Sequence, residues 1–254
     1  NGKRWNLGDF ILWHGTTADD PVSWDTRIGK GRPAWNVQDP AMILRTLGPE
    51  IDIHTGGIDN VYRHHDYNRA ILESYSGKEL AHYWLHGEHL IVEGEKMSKS
   101  KGNTMYPKDA YAHGCSAQQV RFMLMCTYYR HQLNVNEERI DECCRHFTTI
   151  RQTVEAIQSG SPREHSPSAP ARAHKTYSPG SGHSVEKLID EVPLLFTTKM
   201  SDDLNTPAAI EAIEYVADEF YTAQQNGLVS AGQRNKFIEK LREVDHVLGF
   251  LFQR

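Results

Sequence analysis

The chain has 254 residues, enough for one large domain or two modest ones with a buried core. Hydrophobic residues make up 39% and charged residues 24%, and the formal net charge is -5. That excludes a chain drawn to nucleic acid by its overall charge, so any RNA contact must come from local basic patches. No apolar run approaches the roughly 20 residues that span a bilayer, and the opening NGKRWNLGDF lacks the apolar stretch of a signal peptide. The four cysteines, Cys115, Cys126, Cys143 and Cys144, form no C-x-x-C pair. The expectation is a reduced, cytoplasmic protein with no membrane partner.

Residues 1–135 mix short β-rich runs with Gly, Pro and Asp turns. Within them, DIHTGG (52–57) reads as a strand running into a glycine turn, and HHDYNRAILESY (64–75) as a helix closed by Ser76-Gly77. AHYWLHGEHLIVEG (81–94) reads as a strand pair or strand-loop-strand. A lysine-rich loop follows, and then Ser116 and Gln119 stand at capping-box spacing before a buried helix over 119–129. This order predicts an α/β layer with a parallel sheet.

The rest is helical apart from one stretch. Ile140, Cys143, Phe147, Ile150, Val154 and Ile157 form one apolar stripe, which predicts a connecting helix over 136–158. Residues 159–184, rich in Ser, Pro, Gly and His, read as a flexible linker. Residues 185–254 read as a helical bundle. Thr206 reads as a helix cap there, with Pro207 at the first helical position. Ile210, Ile213, Val216 and Phe220 form one stripe; Phe237, Leu241, Val244, Leu248 and Leu251 form the last. These stripes are core, not cofactor boxes.

The segment KMSKSKGN (96–103) carries the chemistry most open to a ligand. Lys96, Lys99 and Lys101 cannot all pair with Glu93 and Glu95, and Gly94 and Gly102 let the loop move. A lysine is a point charge suited to phosphate, although charge runs are mostly solvated surface. Similarly, the glycines of T-G-G-I-D allow close backbone approach and Asp59 can accept ribose hydroxyls, while a plain turn remains the alternative.

The string KMSKS resembles the signature loop of class I aminoacyl-tRNA synthetases, and other segments resemble the cysteinyl-tRNA synthetase branch. GRPAWNVQDPAM (31–42) is similar to its G-R-P-G-W-H-I-E-C-S-A-M segment, and IDIHTGGIDNVYRHHDYN (51–68) to its F-D-I-H-G-G-G segment. YWLHGEHLIVEGEKMSKSKGN (83–103), SDDLNTPAAI (201–210) and DHVLGFL (245–251) follow in the family's order. The resemblance implies a Rossmann-like catalytic domain over 1–135, joining an amino acid to ATP, with magnesium, and then to tRNA. It implies Lys99 as the main phosphate lysine, assisted by Lys96, with Met97 and Ser98 also on ATP. Gly56, Gly57 and Asp59 would lie under the adenosine. Trp35 would line the amino-acid pocket beside His54.

Two departures stand out. The family's zinc positions fall on Asp39, His64 and Asn68, and no Cys precedes position 115. An amide oxygen is a poor zinc ligand, so the donor set is degraded and the amino acid left open. No H-I-G-H-type motif is present, so the expectation is the C-terminal half of a class I catalytic domain, a fragment or one piece of a split protein, with the missing N-terminal half as a partner. Two further functions stay open: a ligase passing the activated amino acid to a small amine, as in mycothiol-pathway cysteine ligases, and a non-catalytic binding paralogue.

Overall fold

Residues 9–16, 20, 22–163 and 184–252 are described by a computed structural model. The chain divides into two units, residues 1–88 and 89–254. In the first, β1 (Trp13–Gly15) pairs antiparallel with β2 (Gly31–Pro33), and α1 (Trp35–Thr46) follows at once. Next, β3 (Ile51–Gly57) and β4 (Ala81–Gly87) form a parallel pair joined through a 3-10 turn (Ile58–Asn60), a wide turn (Val61–His65) and α2 (Asp66–Ser76). The left-handed Gly77 closes α2, as the Ser-Gly signal predicts. Leu72, Leu80 and Ala81 are buried here against Ile43, Leu44, Ile51 and Trp84. Gly56 and Gly57 are not a turn: they are the last residues of β3, paired with His86 and Gly87.

The second unit begins with β5 (Leu90–Val92), which pairs antiparallel with β6 (Glu95–Lys96) and parallel with β7 (Leu133–Val135). Thus the two strands expected within 81–94 exist, but they join different sheets. Between β6 and β7 lie the lysine loop, α3 (Pro107–Ala112) and α4 (Ala117–Met125). The Ser116–Gln119 capping box starts α4 as expected, but the helix stops before Tyr128 and Tyr129. Then come α5 (Glu137–Ser159), α6 (Val185–Met200), α7 (Thr206–Gln225) and α8 (Ala231–Leu248).

All three apolar stripes are buried. Leu251 lies past the end of α8 yet is buried, because the Asp245 carboxylate accepts from the amides of Phe250 (2.8 Å) and Leu251 (2.7 Å) and folds the chain back. Asn205, not Thr206, caps α7, accepting from the Ala208 amide at 3.3 Å. Phe122, Leu133 and Val135 share one core with Ile140, Phe147, Phe220 and Phe237. The expected linker lies, over 164–183, outside the described residues. Among the described residues no helix is long and apolar enough to cross a membrane.

Candidate functional site

Alternate residues of a strand share a face, and β3 and β4 use this to gather rings. His54 stands opposite Trp84 in register and stacks on it, with centroids 4.6 Å apart and planes 16° apart. One step along the same face, Gly56 stands opposite His86. A Cβ at position 56 would lie 2.5 Å from His65 Cε1. Glycine is therefore needed here for the His65 ring, which is 5% exposed and hydrogen-bonds through Nδ1 to His86 Nε2 at 2.7 Å. At position 57 a Cβ would meet the Asp59 carboxylate at 2.7 Å.

Burial pushes the His65 imidazole down to about 4, with His54, His86 and His64 adding to the shift. Burial, then His86, also lowers His54, against a raising contribution from the Thr55 backbone. Two neutral imidazoles result at pH 7. His86 and Trp84 are absent from the sequence-derived site; the W-x-H alternation in β4 was the available signal.

Of the expected pocket residues, Asp39 and His64 are brought together, with Oδ2 and Nε2 3.2 Å apart. The two donors converge as two ligands of one ion would, yet the described residues contain no group of three or more His, Cys, Asp or Glu side chains that could hold a metal. Asn68 is 1% exposed and its Oδ1 has no partner among the described residues. A neutral amide in place of a third anionic or imidazole donor does not fit zinc. Trp35 lines a cavity of about 290 Å³ with Phe10, Arg63 and Tyr67.

The lysine loop belongs to the second unit. The Asn103 side chain closes it, its Oδ1 accepting from the Ser98 amide (2.9 Å) and its Nδ2 donating to the Lys96 carbonyl (3.3 Å). Ser98 caps a 3-10 turn over Lys99–Lys101, which the left-handed Gly102 ends. The Met97 sulfur receives the Met105 amide at 3.2 Å. Lys101 pairs with Glu95, and Lys96 Nζ lies 3.3 Å from His89 Nε2. The Lys99 ammonium is exposed and has no carboxylate or hydrogen-bond partner among the described residues. The arrangement is a short, cross-braced turn offering a cation to solvent.

The family model for the tRNA synthetases class I (C) catalytic domain matches residues 1–145, and the model for the DALR domain matches residues 195–253. Curated relatives include the cysteine–tRNA ligases of Chlamydia abortus, 32% identical over 249 residues, and Chlamydia pneumoniae, 33% identical over 248. Each alignment covers 97% of this chain and 49% of the relative, so the chain spans about half the length of the curated relatives it matches. A solved ternary complex of an Agrobacterium radiobacter K84 LeuRS with tRNA and LeuAMS shares the fold, with a TM-score of 0.61 and 16% identity over 90% of this chain and 33% of that one. On these matches, the chain belongs to the family of the class I (C) tRNA synthetase catalytic domain, with a class I synthetase α/β fold followed by a helical DALR domain.

Proposed function

We propose that this chain supplies the phosphate-binding part of an ATP-dependent amino-acid-activating ligase of the cysteine–tRNA ligase type. The observation that carries this reading is the lysine loop: a turn held by Ser98 and Asn103 that leaves Lys99 without a counter-charge among the described residues. In the reaction an amino-acid carboxylate oxygen bonds to the α-phosphorus of ATP, and the bond to pyrophosphate breaks. Negative charge grows on the departing group. Lys99 neutralises it, and Lys96 assists; the backbone around Met97 and Ser98 lies along the phosphates. Magnesium would travel with those phosphates as part of the nucleotide substrate.

In the first unit, Gly56, Gly57 and Asp59 are assigned to the adenosine, and Trp35 and His54 to the amino acid. Asp39, His64 and Asn68 form a polar wall of the amino-acid pocket in place of a metal. Transfer to tRNA follows from the kinship with cysteine–tRNA ligases, of whose length this chain spans about half. A second reading, a non-catalytic binding protein, is favoured by the degraded zinc set alone.

The test is ATP–pyrophosphate exchange with each amino acid in turn, on the protein supplied with the remainder of the catalytic domain. Exchange with one amino acid, lowered about a hundredfold or more by Lys99→Ala, is expected, as for loss of one transition-state donor. An undiminished rate in that variant removes the role of Lys99. No exchange with any amino acid favours the binding role.

A further inference from the structure

The motif SDDLNTPAAI (201–210) has no part in the chemistry above, and its contacts show what it holds. After α6 the chain turns through Asp203 (φ 51°) and Leu204 (φ 56°), consecutive left-handed residues without glycine. Side-chain-bearing residues keep that conformation only where their surroundings impose it. Here the Asp203 carboxylate accepts hydrogen bonds from the Tyr128 hydroxyl, the Tyr129 hydroxyl (2.8 Å) and Arg130 Nε (2.5 Å). Arg130 and the two hydroxyls hold that carboxyl well below the usual carboxylate range. The Arg130 guanidinium also lies 5.0 Å from the Tyr129 ring centroid. Three residues on, the Thr206 hydroxyl donates to the Met125 carbonyl at 2.8 Å. The segment that leaves α4 is thus tied to the α6–α7 turn at its start and in its middle.

That segment runs directly into β7. Asn134 of β7 is the register partner of Ile91, and Lys96 is the partner of Ile91 on the other side. Asn134 Oδ1 accepts from the Gly94 amide at 2.9 Å, and the Glu93 amide donates to the Val135 carbonyl at 3.2 Å. Glu93 (φ 51°) and Gly94 (φ 76°) form the left-handed turn between β5 and β6. This turn launches the lysine loop, and β7 holds it from behind.

We propose that Asp203 is a positioning residue for the lysine loop: by clamping Tyr128, Tyr129 and Arg130 it fixes β7, and β7 fixes the Glu93–Gly94 turn from which the loop departs. The consequence for catalysis rests on the phosphate-binding reading of that loop; the mechanical link does not.

The test is amide hydrogen exchange on the chain, wild type against Asp203→Asn. Asparagine tolerates the left-handed backbone and keeps one acceptor oxygen but loses the charge. Exchange over 90–104 is expected to quicken by roughly tenfold while α5 and α8 keep their wild-type rates. Arg130→Gln removes the same contact from its exposed partner and is expected to act alike, should Asp203→Asn fail to fold. Arg130→Lys, which keeps a donor and the charge, is expected to recover part of the protection. Unchanged exchange over 90–104, or equal quickening across the whole second unit, overturns the positioning role. The readout needs no nucleotide. If Lys99→Ala leaves pyrophosphate exchange untouched while the loop still responds to Asp203→Asn, the phosphate reading falls and the clamp stands.

Discussion

The two units use their interiors in opposite ways. The second buries a continuous apolar core, with Phe220 and Phe237 stacked at 3.8 Å, and carries its charged loop on the outside. Among the described residues the first has a small buried apolar cluster of Leu72, Leu80 and Ala81, with Ala34 and Pro40 also buried, and places His65 and Asn68 inside. It also leaves Ile53 and its register partner Tyr83 more than half exposed. In one unit the lysine loop is braced by hydrogen bonds within itself, and the turn before it by a bond to Asn134 of β7. In the other, the rings are positioned by close contact inside, where neutral forms are favoured. All five tryptophans fall within residues 1–88, so their emission reports on the first unit alone, whereas helical circular dichroism reports mainly on the second.

The largest effect tests the depth of the two cores. Phe237→Ala is expected to cost about 3–5 kcal/mol, since a buried ring leaves a cavity that close packing cannot refill. Leu72→Ala is expected to cost about 2–4 kcal/mol by the same reasoning. Its loss of amide protection should appear in β3, α2 and β4 and in tryptophan emission. Urea titrations read by both signals check this. A Leu72→Ala cost well below about 1 kcal/mol would show that the first unit has no effective core.

Acid sharpens the contrast. The folded His65 value, about 4, lies below the usual histidine value of 6.5. A histidine held neutral in the fold contributes its full stability above pH 6.5. As the pH falls towards 4 the unfolded chain takes up a proton that the folded chain refuses, and stability drops. The loss is on the order of 2–3 kcal/mol. Tryptophan-monitored unfolding at pH 7 and pH 4.5 should show it, and His65→Gln should abolish this part of the dependence. An acid response as large in His65→Gln as in wild type would assign it to another group.

Much of the second unit was legible because its information is local. Stripes at three- and four-residue steps, Ser116–Gln119 and the lysine loop each lie within a few turns of chain. The first unit was less so. The role of Gly56 depends on register between β3 and β4, which sets it opposite His86, the hydrogen-bond partner of His65, and a single strand does not reveal its register. The α1 helix was missed because Pro40 interrupts its pattern. The Asp203 clamp joins residues more than 70 positions apart, a distance over which periodicity carries no signal.

The smallest effect comes from the helix start at which the sequence and the structure differ by one residue. Read from the sequence, Thr206 caps α7. In the structure Asn205 satisfies the Ala208 amide, and Thr206 is the first helical residue, its hydroxyl turned to the Met125 carbonyl. Asn205→Ala should therefore cost about 1 kcal/mol, as an orphaned helix amide does. Thr206→Val keeps the side-chain shape and leaves one carbonyl without its donor, so its cost should lie near 0.5–1.5 kcal/mol and should fall on the α4 exit rather than on α7. Amide exchange separates the two. Asn205→Ala should expose the first turn of α7, whereas Thr206→Val should leave that turn protected and loosen residues 126–132. If Thr206→Val instead frays α7, the threonine is the cap, and the tie between α4 and the α6–α7 turn loses one of its two anchors.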